Sequence, residues 1–335
     1  MQDWEPPLPA SYHDSNRAFL QAFMARGVLT LDEAKPIIAA ILSAQQGPDQ
    51  PEVDPESITQ DDFDAFLGPA REAISPLDFD IRSTKHQVTN QRVWALINTQ
   101  SDPSTQLATV HTPEEIAFTK RLLDAMFETY NTPRMEVMCV TEAQALKLAR
   151  PTRPRESLAN RVDGAPSQTS TDRGLKHSEV LALLPSLVEE GWLEKSREGF
   201  YSLSPRSLLE LWTWLNASYN DPDAEANEWQ RIKFCEACKE IVTVGQRCAE
   251  RDCLVRLHET CQEAFWRSRR DRKCPKCDTH WDGKHFVGEP AVTQTEAFQK
   301  NRRKGGGRRS EVINTLMQED GDGDEEEAEE ASAMG

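Results

Sequence analysis

A ladder of seven cysteines and one histidine constrains the fold of this chain more than any other feature. Seven of the chain's eight cysteines lie within residues 235–277, together with one histidine. Two CxxC pairs bracket the segment, and a two-residue spacer lets both sulfur atoms of such a pair reach one metal ion. Eight ligands make two sets of four, as two structural zinc ions require. The interleaved, cross-brace assignment is Cys235, Cys238, His258 and Cys261 for the first zinc, and Cys248, Cys253, Cys274 and Cys277 for the second.

The alternative is a disulfide framework, or cysteines buried simply as small apolar side chains. No signal peptide opens the sequence, and thiols in the cytosol or nucleus are kept reduced. We therefore expect two zinc ions, which would supply most of the folding energy of this core-poor segment. His280 and His285 follow the ladder, but structural zinc sites close at four ligands, so surface or packing roles are expected for both.

Length and charge limit the remaining possibilities. The 335 residues, 38% of them hydrophobic, suffice for two or three modest domains. No apolar run approaches the roughly 20 residues of a membrane span, so no membrane association is expected. The net charge is −17, yet residues 300–309 hold six bases and no acids, while residues 311–335 hold ten acids and no bases. An acidic body argues against bulk electrostatic binding to nucleic acid, although local basic patches could still act.

The N-terminal half predicts a winged-helix domain over residues 14–130, after a disordered lead at residues 1–13. Three segments with helical spacing of apolar residues precede two β-type runs at residues 79–87 and 92–99. Three helices followed by a hairpin is the element order of a winged helix. Two candidate site residues in this region, His86 and Trp94, are interpreted as packing residues.

A second winged helix is predicted over residues 131–228, with a flexible insertion at residues 151–174. Its hairpin, the wing, has balanced charge, and apolar-rich helices on an acidic chain favour protein docking over DNA binding. Cys139 is interpreted as a buried small hydrophobic residue, because nothing basic surrounds it to lower its pKa. Beyond a variant RING zinc finger at residues 229–290, residues 291–335 are predicted to be a disordered tail, first basic and then acidic.

Three functions fit the same ladder: a RING-type ubiquitin ligase, a PHD-type reader of histone tails, and a zinc-stapled scaffold. PHD fingers usually carry an aromatic residue two positions before the seventh ligand, where this chain has Arg272. RING modules that recruit a ubiquitin-conjugating enzyme usually have proline directly after the seventh ligand, as Pro275 is here. They also present an aromatic residue in the helix after the sixth ligand. The predicted docking set for the conjugating enzyme is therefore Ile241, Phe265, Trp266 and Pro275.

Some residues depart from the pattern of strongly active RING modules. Glu236 and Ala237 fill the first knuckle, where an apolar contact residue is common, and Asp278 follows the last ligand, where a cation often clamps ubiquitin. A basic strip follows the sixth ligand, and it suits either an acidic partner such as ubiquitin or a solvated loop. Its members are Arg267, Arg269, Arg270, Arg272 and Lys273.

Beyond the ladder, the chain as a whole resembles one family, the non-SMC element one subunit of the SMC five–six chromosome complex, and it looks like a fungal member. The resemblance covers roughly residues 14–290. It is carried by SNRAFLQAFMARGVLTLDEA, RVWALINTQSDPSTQLAT followed by TPEEIAFTKRLLDAM, GWLEKSREGFYSLSPRSLLEL, and the Cys/His ladder.

The resemblance implies an α+β chain of tandem winged-helix domains followed by a C-terminal cross-brace two-zinc RING-like domain. It implies the same eight zinc ligands and a RING-type E3 ubiquitin ligase activity without a covalent intermediate. The implied partners are a MAGE-type subunit, a kleisin subunit and a conjugating enzyme, with DNA contacted through the complex. The implied setting is DNA repair and recombination in the nucleus. The alternative is a non-catalytic assembly subunit whose winged helices and RING-like module dock the MAGE-type partner.

Overall fold

The computed structural model describes residues 12–47, 49–100, 102–107, 110–151, 172–225, 228–267, 269, 271–303 and 309–318. The chain divides into two compact units. The first holds the described residues of 12–102, 190–193 and 203–216, and the second holds those of 103–189, 194–202 and 217–318. No helix within these described ranges combines the length and apolar character needed to cross a membrane.

Residues 14–98 form a winged-helix fold of three helices and a three-stranded sheet. Its elements are α1 Asp14–Arg26, β1 Val28–Thr30, α2 Leu31–Gln46, α3 Gln60–Ile74, β2 Phe79–Lys85 and β3 Arg92–Asn98. The sheet order is β1-β3-β2, and the β2–β3 hairpin pairs Phe79 with Asn98 and Lys85 with Arg92. The three predicted helices and the predicted hairpin are confirmed, whereas the three-residue strand β1 is too short for period-two alternation to indicate it.

The core of this fold combines aliphatic side chains with five aromatic ones from α1, α3 and β3. Phe63 and Trp94 meet edge to face, with ring centroids 4.8 Å apart. Trp94 is 7% exposed, so its predicted packing role is confirmed. His86 stabilises the hairpin turn, because its Nδ1 accepts hydrogen bonds from the backbone N–H groups of Val88 and Thr89.

A second winged helix repeats this element order. After the short helix α4 Pro103–Leu107 come α5 Pro113–Asp124, β4 Val140–Thr141, α6 Glu142–Lys147, α7 His177–Glu189, β5 Leu193–Lys195 and β6 Phe200–Leu203. The sheet order β4-β6-β5 matches that of the first sheet. Tandem winged helices are thereby confirmed. Residues 152–171, which make up most of the predicted insertion at 151–174, lie outside the described residues.

The division between the compact units falls earlier than the predicted domain boundary at residue 130. The second unit begins at residue 103, so α5 belongs to it and is the first helix of the second winged helix. The sequence could not indicate this, because periodicity identifies the buried face of a helix but not the sheet that covers it. Helix α8 Pro205–Glu210 returns to the first unit, where Glu210 accepts a hydrogen bond from the Asn98 N–H at 3.3 Å, and α9 Trp212–Tyr219 follows it.

Threonine residues set the N-termini of α2, α3, α5 and α6 by one mechanism. Each threonine hydroxyl accepts a hydrogen bond from the N–H three residues on, and the side chain at that position accepts one from the threonine N–H. The pairs are Thr30–Glu33, Thr59–Asp62, Thr112–Glu115 and Thr141–Gln144. Each pair satisfies two backbone donors that a helix end leaves without a partner.

Residues 232–287, called here the Cys/His module, contain a third small sheet. Its elements are β7 Gly245–Arg247, β8 Arg256–Leu257, α10 Glu259–Arg267 and β9 Phe286–Val287, and the sheet order is β8-β7-β9. The two strands β7 and β8 approach so closely that a Cβ atom at Gly245 would clash with the Leu257 carbonyl oxygen. Glycine at this position therefore allows the strands to pair.

The prediction of disorder from residue 291 onward is wrong for the part that the structure describes. Three helices follow the module, α11 Pro290–Thr293, α12 Glu296–Arg303 and α13 Arg309–Gln318. Phe298, Ile313 and Met317 are at most 5% exposed, so a few apolar side chains fix the helices despite the charge of the surrounding sequence. The acidic residues 319–335 and the lead at residues 1–11 lie outside the described residues.

Candidate metal centre

The structure brings the eight predicted ligands together in two separate clusters, in the interleaved assignment. Within each cluster the ligand atoms all lie within 4.8 Å of one another. The clusters are Cys235, Cys238, His258 and Cys261, and Cys248, Cys253, Cys274 and Cys277. All eight cysteines of the chain are free thiols, which rules out the disulfide alternative in this structure.

The distances between ligand atoms fit a tetrahedral zinc ion. Zinc bonds of about 2.0–2.3 Å in a tetrahedral arrangement place neighbouring ligand atoms roughly 3.3–3.8 Å apart. Cys248 Sγ lies 3.4 Å from Cys277 Sγ, and Cys253 Sγ lies 3.5 Å from Cys274 Sγ. In the first cluster the Nδ1 atom of the histidine lies 3.3 Å from one sulfur and 3.8 Å from another. One cluster offers four thiolates, and the other offers three thiolates and an imidazole. Both ligand sets suit zinc, so the residues present fit two zinc ions.

A backbone carbonyl fixes the histidine ligand in the form that zinc needs. His258 Nε2 lies 3.1 Å from the carbonyl oxygen of Ile241. A carbonyl oxygen only accepts hydrogen bonds, so Nε2 carries the proton and Nδ1 is left as the metal-binding lone pair. His258 is 5% exposed, which protects this arrangement from water. The ligand spacing gave no indication of this partner.

Both CxxC knuckles close with the same backbone turn. The Lys239 N–H donates to the Cys235 carbonyl at 2.9 Å, and the Asp278 N–H donates to the Cys274 carbonyl at 3.0 Å. Lys239 and Asp278 have φ angles of 64° and 56°, in the left-handed region. Aspartate is among the non-glycine residues that adopt this region most readily. The residue after the last ligand therefore has a structural reason to be aspartate, independent of any contact with ubiquitin.

The structure buries two of the four predicted docking residues. Ile241 and Trp266 are 3% and 8% exposed, and the Trp266 ring lies 5.6 Å from that of Trp281, between centroids. Phe265 is partly exposed, and Pro275 is exposed. A protein that docks on this module would thus meet Phe265 and Pro275 rather than the two buried residues.

The additional histidines lie apart from both clusters. Neither His280 nor His285 belongs to a ligand set among the described residues. His280 is exposed, and His285 Nε2 lies 3.6 Å from a carboxylate oxygen of Asp282. Cys139 is 2% exposed, and burial, followed by the charge of Glu289, raises the pKa of its thiol. It is a packing residue, as the sequence indicated.

One buried group of charges was not predicted from the sequence. It consists of Glu136, Lys233, Arg247 and Arg256 and is called here the Glu136 cluster. The four residues are 1%, 5%, 7% and 0% exposed. Arg256 binds Glu136 with two hydrogen bonds, one of them from Nε at 2.8 Å. Lys233 Nζ and Arg247 Nη1 lie 3.3 Å and 3.6 Å from Glu136 Oε1. A lone acidic residue inside the apolar run of residues 135–140 was the available sequence signal.

Burial and charge shift the titration of this cluster. Burial alone would raise the pKa of Glu136, but the hydrogen bonds and charge of Arg256, helped by Lys233 and Arg247, hold it below its ordinary value. Burial lowers the pKa of Lys233 to about 7, and the attraction of Glu136 does not offset this effect. Glu136 is therefore an anion at neutral pH and neutralises part of the surrounding positive charge.

Comparison with known proteins agrees with the fold and the metal centre. A family model described as "Nse1 non-SMC component of SMC5-6 complex" matches residues 16–211, and a RING-like domain model matches residues 235–277. A solved chain from an "Nse1-Nse3-Nse4 complex" superposes with a TM-score of 0.60 at 20% sequence identity, over 82% of this chain and 99% of that chain. This likeness shows the fold.

Curated relatives match along most of their length. The "Non-structural maintenance of chromosomes element 1 homolog" of Rattus norvegicus is 21% identical over 294 residues, which cover 87% of this chain and 93% of the relative. The protein of that name from Homo sapiens is 21% identical and covers 80% and 84%. The Schizosaccharomyces pombe "Non-structural maintenance of chromosomes element 1" is 24% identical and covers 64% and 75%. Because the family model spans more than half of the sequence, the chain belongs to the Nse1 family of non-SMC components of the SMC5-6 complex.

Proposed function

We propose that this chain is the RING-type E3 ubiquitin ligase subunit of an SMC5-6 complex. It would promote ubiquitin transfer from a conjugating enzyme during DNA repair, recombination and chromosome maintenance in the nucleus. The observation that carries the proposal is a RING-like module, held by two interleaved four-ligand clusters, that leaves Pro275 exposed directly after the seventh ligand.

The proposed chemistry is aminolysis of a thioester carried by the conjugating enzyme. A substrate amine attacks the thioester carbonyl, an amide C–N bond forms, the C–S bond breaks, and the enzyme thiol leaves with a proton. This chain offers no thiol of its own to carry ubiquitin, because seven cysteines form the metal clusters and Cys139 is buried. The module would act by orienting the charged conjugating enzyme and the attacking amine.

The proposed partners are a MAGE-type subunit, a kleisin subunit and a conjugating enzyme. The first two are supported by family membership and by the structural likeness to a chain of an Nse1-Nse3-Nse4 complex. Within such an assembly DNA would be contacted through the complex. The conjugating enzyme would contact Phe265, where the Arg269 guanidinium lies 4.3 Å from the ring centroid, and Pro275.

A second candidate function is a non-catalytic assembly subunit that only docks the MAGE-type partner. Burial of Ile241 and Trp266 favours it, because it removes two apolar contacts that a conjugating enzyme would use. The acidic residue after the last ligand, Asp278, also places no cation where active RING modules clamp ubiquitin.

Ubiquitin discharge separates the two functions. A conjugating enzyme charged with ubiquitin is mixed with a lysine acceptor and the full chain, with and without the MAGE-type partner. The ligase proposal expects faster discharge, at least in the mixture that holds the partner. Unchanged discharge in both mixtures across a panel of conjugating enzymes would leave the assembly function.

A variant pair tests whether the exposed docking residues carry the activity. Pro275→Ala combined with Phe265→Ala should slow discharge by 10-fold or more, on the order of one lost docking contact. Leu181→Ala, which alters an apolar residue on α7 that is 44% exposed, is the control and should discharge normally. Equal rates for both variants would remove the docking assignment.

A further inference from the structure

Glu136 reaches the Cys/His module from outside the cysteine ladder. It precedes β4 and lies 120 residues before the arginine that it binds. Its backbone carbonyl also accepts a hydrogen bond from the Gly288 N–H at 2.7 Å, directly after β9. The side chain of Glu136 thus attaches to the module, and its backbone attaches to the residue that directly follows the module.

Arg256 connects Glu136 to the second metal cluster. One edge of its guanidinium, formed by Nε and Nη2, donates to the Glu136 carboxylate, and Nη1 donates to the carbonyl oxygen of Cys253 at 2.6 Å. The same Nη1 donates to the Val255 carbonyl at 2.8 Å. Arg256 is 0% exposed, so water cannot replace either partner. The backbone of one zinc ligand is therefore held by a side chain whose position is set by Glu136.

The link to the first metal cluster is of a different kind. The Arg256 carbonyl oxygen accepts a hydrogen bond from the Glu236 N–H at 2.9 Å, and Arg256 forms a bridge with Cys235. These contacts use the backbone of β8, which the pairing with β7 holds in place. They do not depend on where the guanidinium points.

We infer that Glu136 is a positioning residue for the second zinc site, acting through Arg256 on the backbone of Cys253. The arrangement makes zinc retention in the all-cysteine cluster depend on a residue that precedes the family's RING-like segment by almost 100 residues. The mixed cysteine–histidine cluster has no such side-chain support from Arg256. Groups that orient a metal ligand typically change metal affinity by about 10- to 100-fold when they are removed.

Other members of the Glu136 cluster do not provide the same support. Arg247 Nη1 donates to the Pro133 carbonyl at 2.6 Å, and Lys233 Nζ lies 3.9 Å from the centroid of the Trp229 ring. Both add positive charge beside Glu136. The contact with the carbonyl of Cys253 belongs to Arg256, and within the described part of the chain only the Glu136 carboxylate binds two different nitrogen atoms of that guanidinium.

The test is metal release from the full chain carrying Glu136→Gln. This variant keeps the size of the side chain and one hydrogen-bond acceptor but removes its charge. In protein loaded with cadmium, the two clusters give separate NMR resonances, because one has four sulfur ligands and the other has three and an imidazole. After addition of a chelator, the all-cysteine resonance of the variant should decay about 10- to 100-fold faster than in the native chain. The mixed resonance should keep its native rate.

Glu142→Gln is the matched control. Glu142 lies in the same part of the chain, its side chain is 48% exposed, and its ion pair with Lys195 spans 3.7 Å. In the cadmium-loaded Glu142→Gln chain, the resonances of both clusters should decay at native rates. Equal acceleration of both resonances in Glu136→Gln would identify general loosening of the module, and no acceleration would remove the role altogether. Either result overturns the inference.

Arg256→Lys provides a second variant, which is read in the same way if Glu136→Gln does not accumulate as folded protein. Lysine keeps the positive charge next to Glu136 but cannot contact both the carboxylate and the Cys253 carbonyl with a planar fork. Selective loss of metal from the all-cysteine cluster supports the inference, and equal or native release from both clusters contradicts it. The outcome is independent of ligase activity.

Discussion

Lys233 is a buried lysine in a cluster of three basic side chains that share one carboxylate. It is 5% exposed, and its nearest carboxylate, Glu136, is also shared by Arg247 and Arg256. Its ammonium group also lies over the Trp229 ring, which offers some stabilisation by a cation–π contact. Burial nevertheless lowers the pKa of Lys233 to about 7, so the charged form is disfavoured in the folded protein.

Replacing Lys233 with methionine is expected to stabilise the protein at neutral pH. The unfolded lysine keeps its ordinary pKa of 10.5, while the folded one has a pKa of about 7. Between these values the unfolded chain binds more protons, so the stability of the native chain rises with pH by at most about 1.4 kcal/mol per unit. Methionine has no such titration. The advantage of Lys233→Met should therefore be largest near neutral pH and shrink as the pH approaches 10.5.

Denaturant unfolding across this pH range measures the difference. Lys176→Met is the control for the substitution itself, because the Lys176 side chain is 81% exposed. A Lys233→Met difference that stays constant with pH would show that burial does not lower the pKa of the folded Lys233.

At the level of single residues, the sequence predicted what spacing encodes. The ligands could be assigned because the CxxC and HxxC spacers bring their side chains to one ion. The Ile241 carbonyl that orients His258 could not, since every residue has a carbonyl and only the folded backbone selects one. Glu136 was missed for a related reason: its partner is 120 residues away, and a single sequence carries no record of such pairs.

Among the elements, the helices after the Cys/His module show how few apolar residues suffice for order. Phe298 of α12 is 2% exposed, and Ile313 and Met317 of α13 are 3% and 5% exposed. In α13, Met317 Sδ accepts a hydrogen bond from the amide nitrogen Nε2 of Gln144 at 3.1 Å, which connects the end of this helix to α6. Composition predicted disorder from residue 291 onward because charged residues dominate the average. The few buried apolar residues nevertheless determine the structure of α12 and α13.

Phe298→Ala should therefore destabilise α12 and α13. Removing a buried phenylalanine side chain typically costs about 3–5 kcal/mol. Because the loss is local, amide hydrogen exchange should accelerate most in residues 296–303 and 309–318. Phe79→Ala is the control of the same type, as Phe79 is 37% exposed and should cost less. Native exchange in both helices of Phe298→Ala would mean that they do not depend on this contact.

Element prediction succeeded where the signal is local. The apolar periodicity of α1, α2 and α3 predicted these helices because it lies within each helix. The strands β1 and β4, of three and two residues, were not predicted, because their existence depends on pairing with β3 and β6. Tertiary pairing, rather than local propensity, defines strands of this length.

On the scale of the whole molecule, the first compact unit and the Cys/His module of the second obtain their stability from different sources. The first has a continuous core of helix and sheet residues, among them Phe19, Phe63 and Trp94. The Cys/His module of the second has short strands and two ligand clusters in place of such a core. The order of domains could be predicted because each has its own pattern, but the division at residue 103 could not, since it depends on the tertiary contacts that place α5 in the second unit.

Removing zinc should therefore unfold one part of the chain and spare the other. With a strong chelator under reducing conditions, the thiolates of both clusters lose the metal that holds them, and structural zinc in small modules contributes on the order of 10 kcal/mol. Amide protection should disappear in β7, β8, β9 and α10, and also near Glu136, which loses its buried partner Arg256 when the module opens. The helices α1–α3 and the β2–β3 hairpin should keep their protection, because their core contains no metal ligand.

Hydrogen exchange is measured by mass spectrometry before and after chelation, and this measurement distinguishes the regions. Zinc is added back as the control for reversibility. Loss of protection in α1–α3 at the same chelator concentration would contradict independent stabilisation of the first unit.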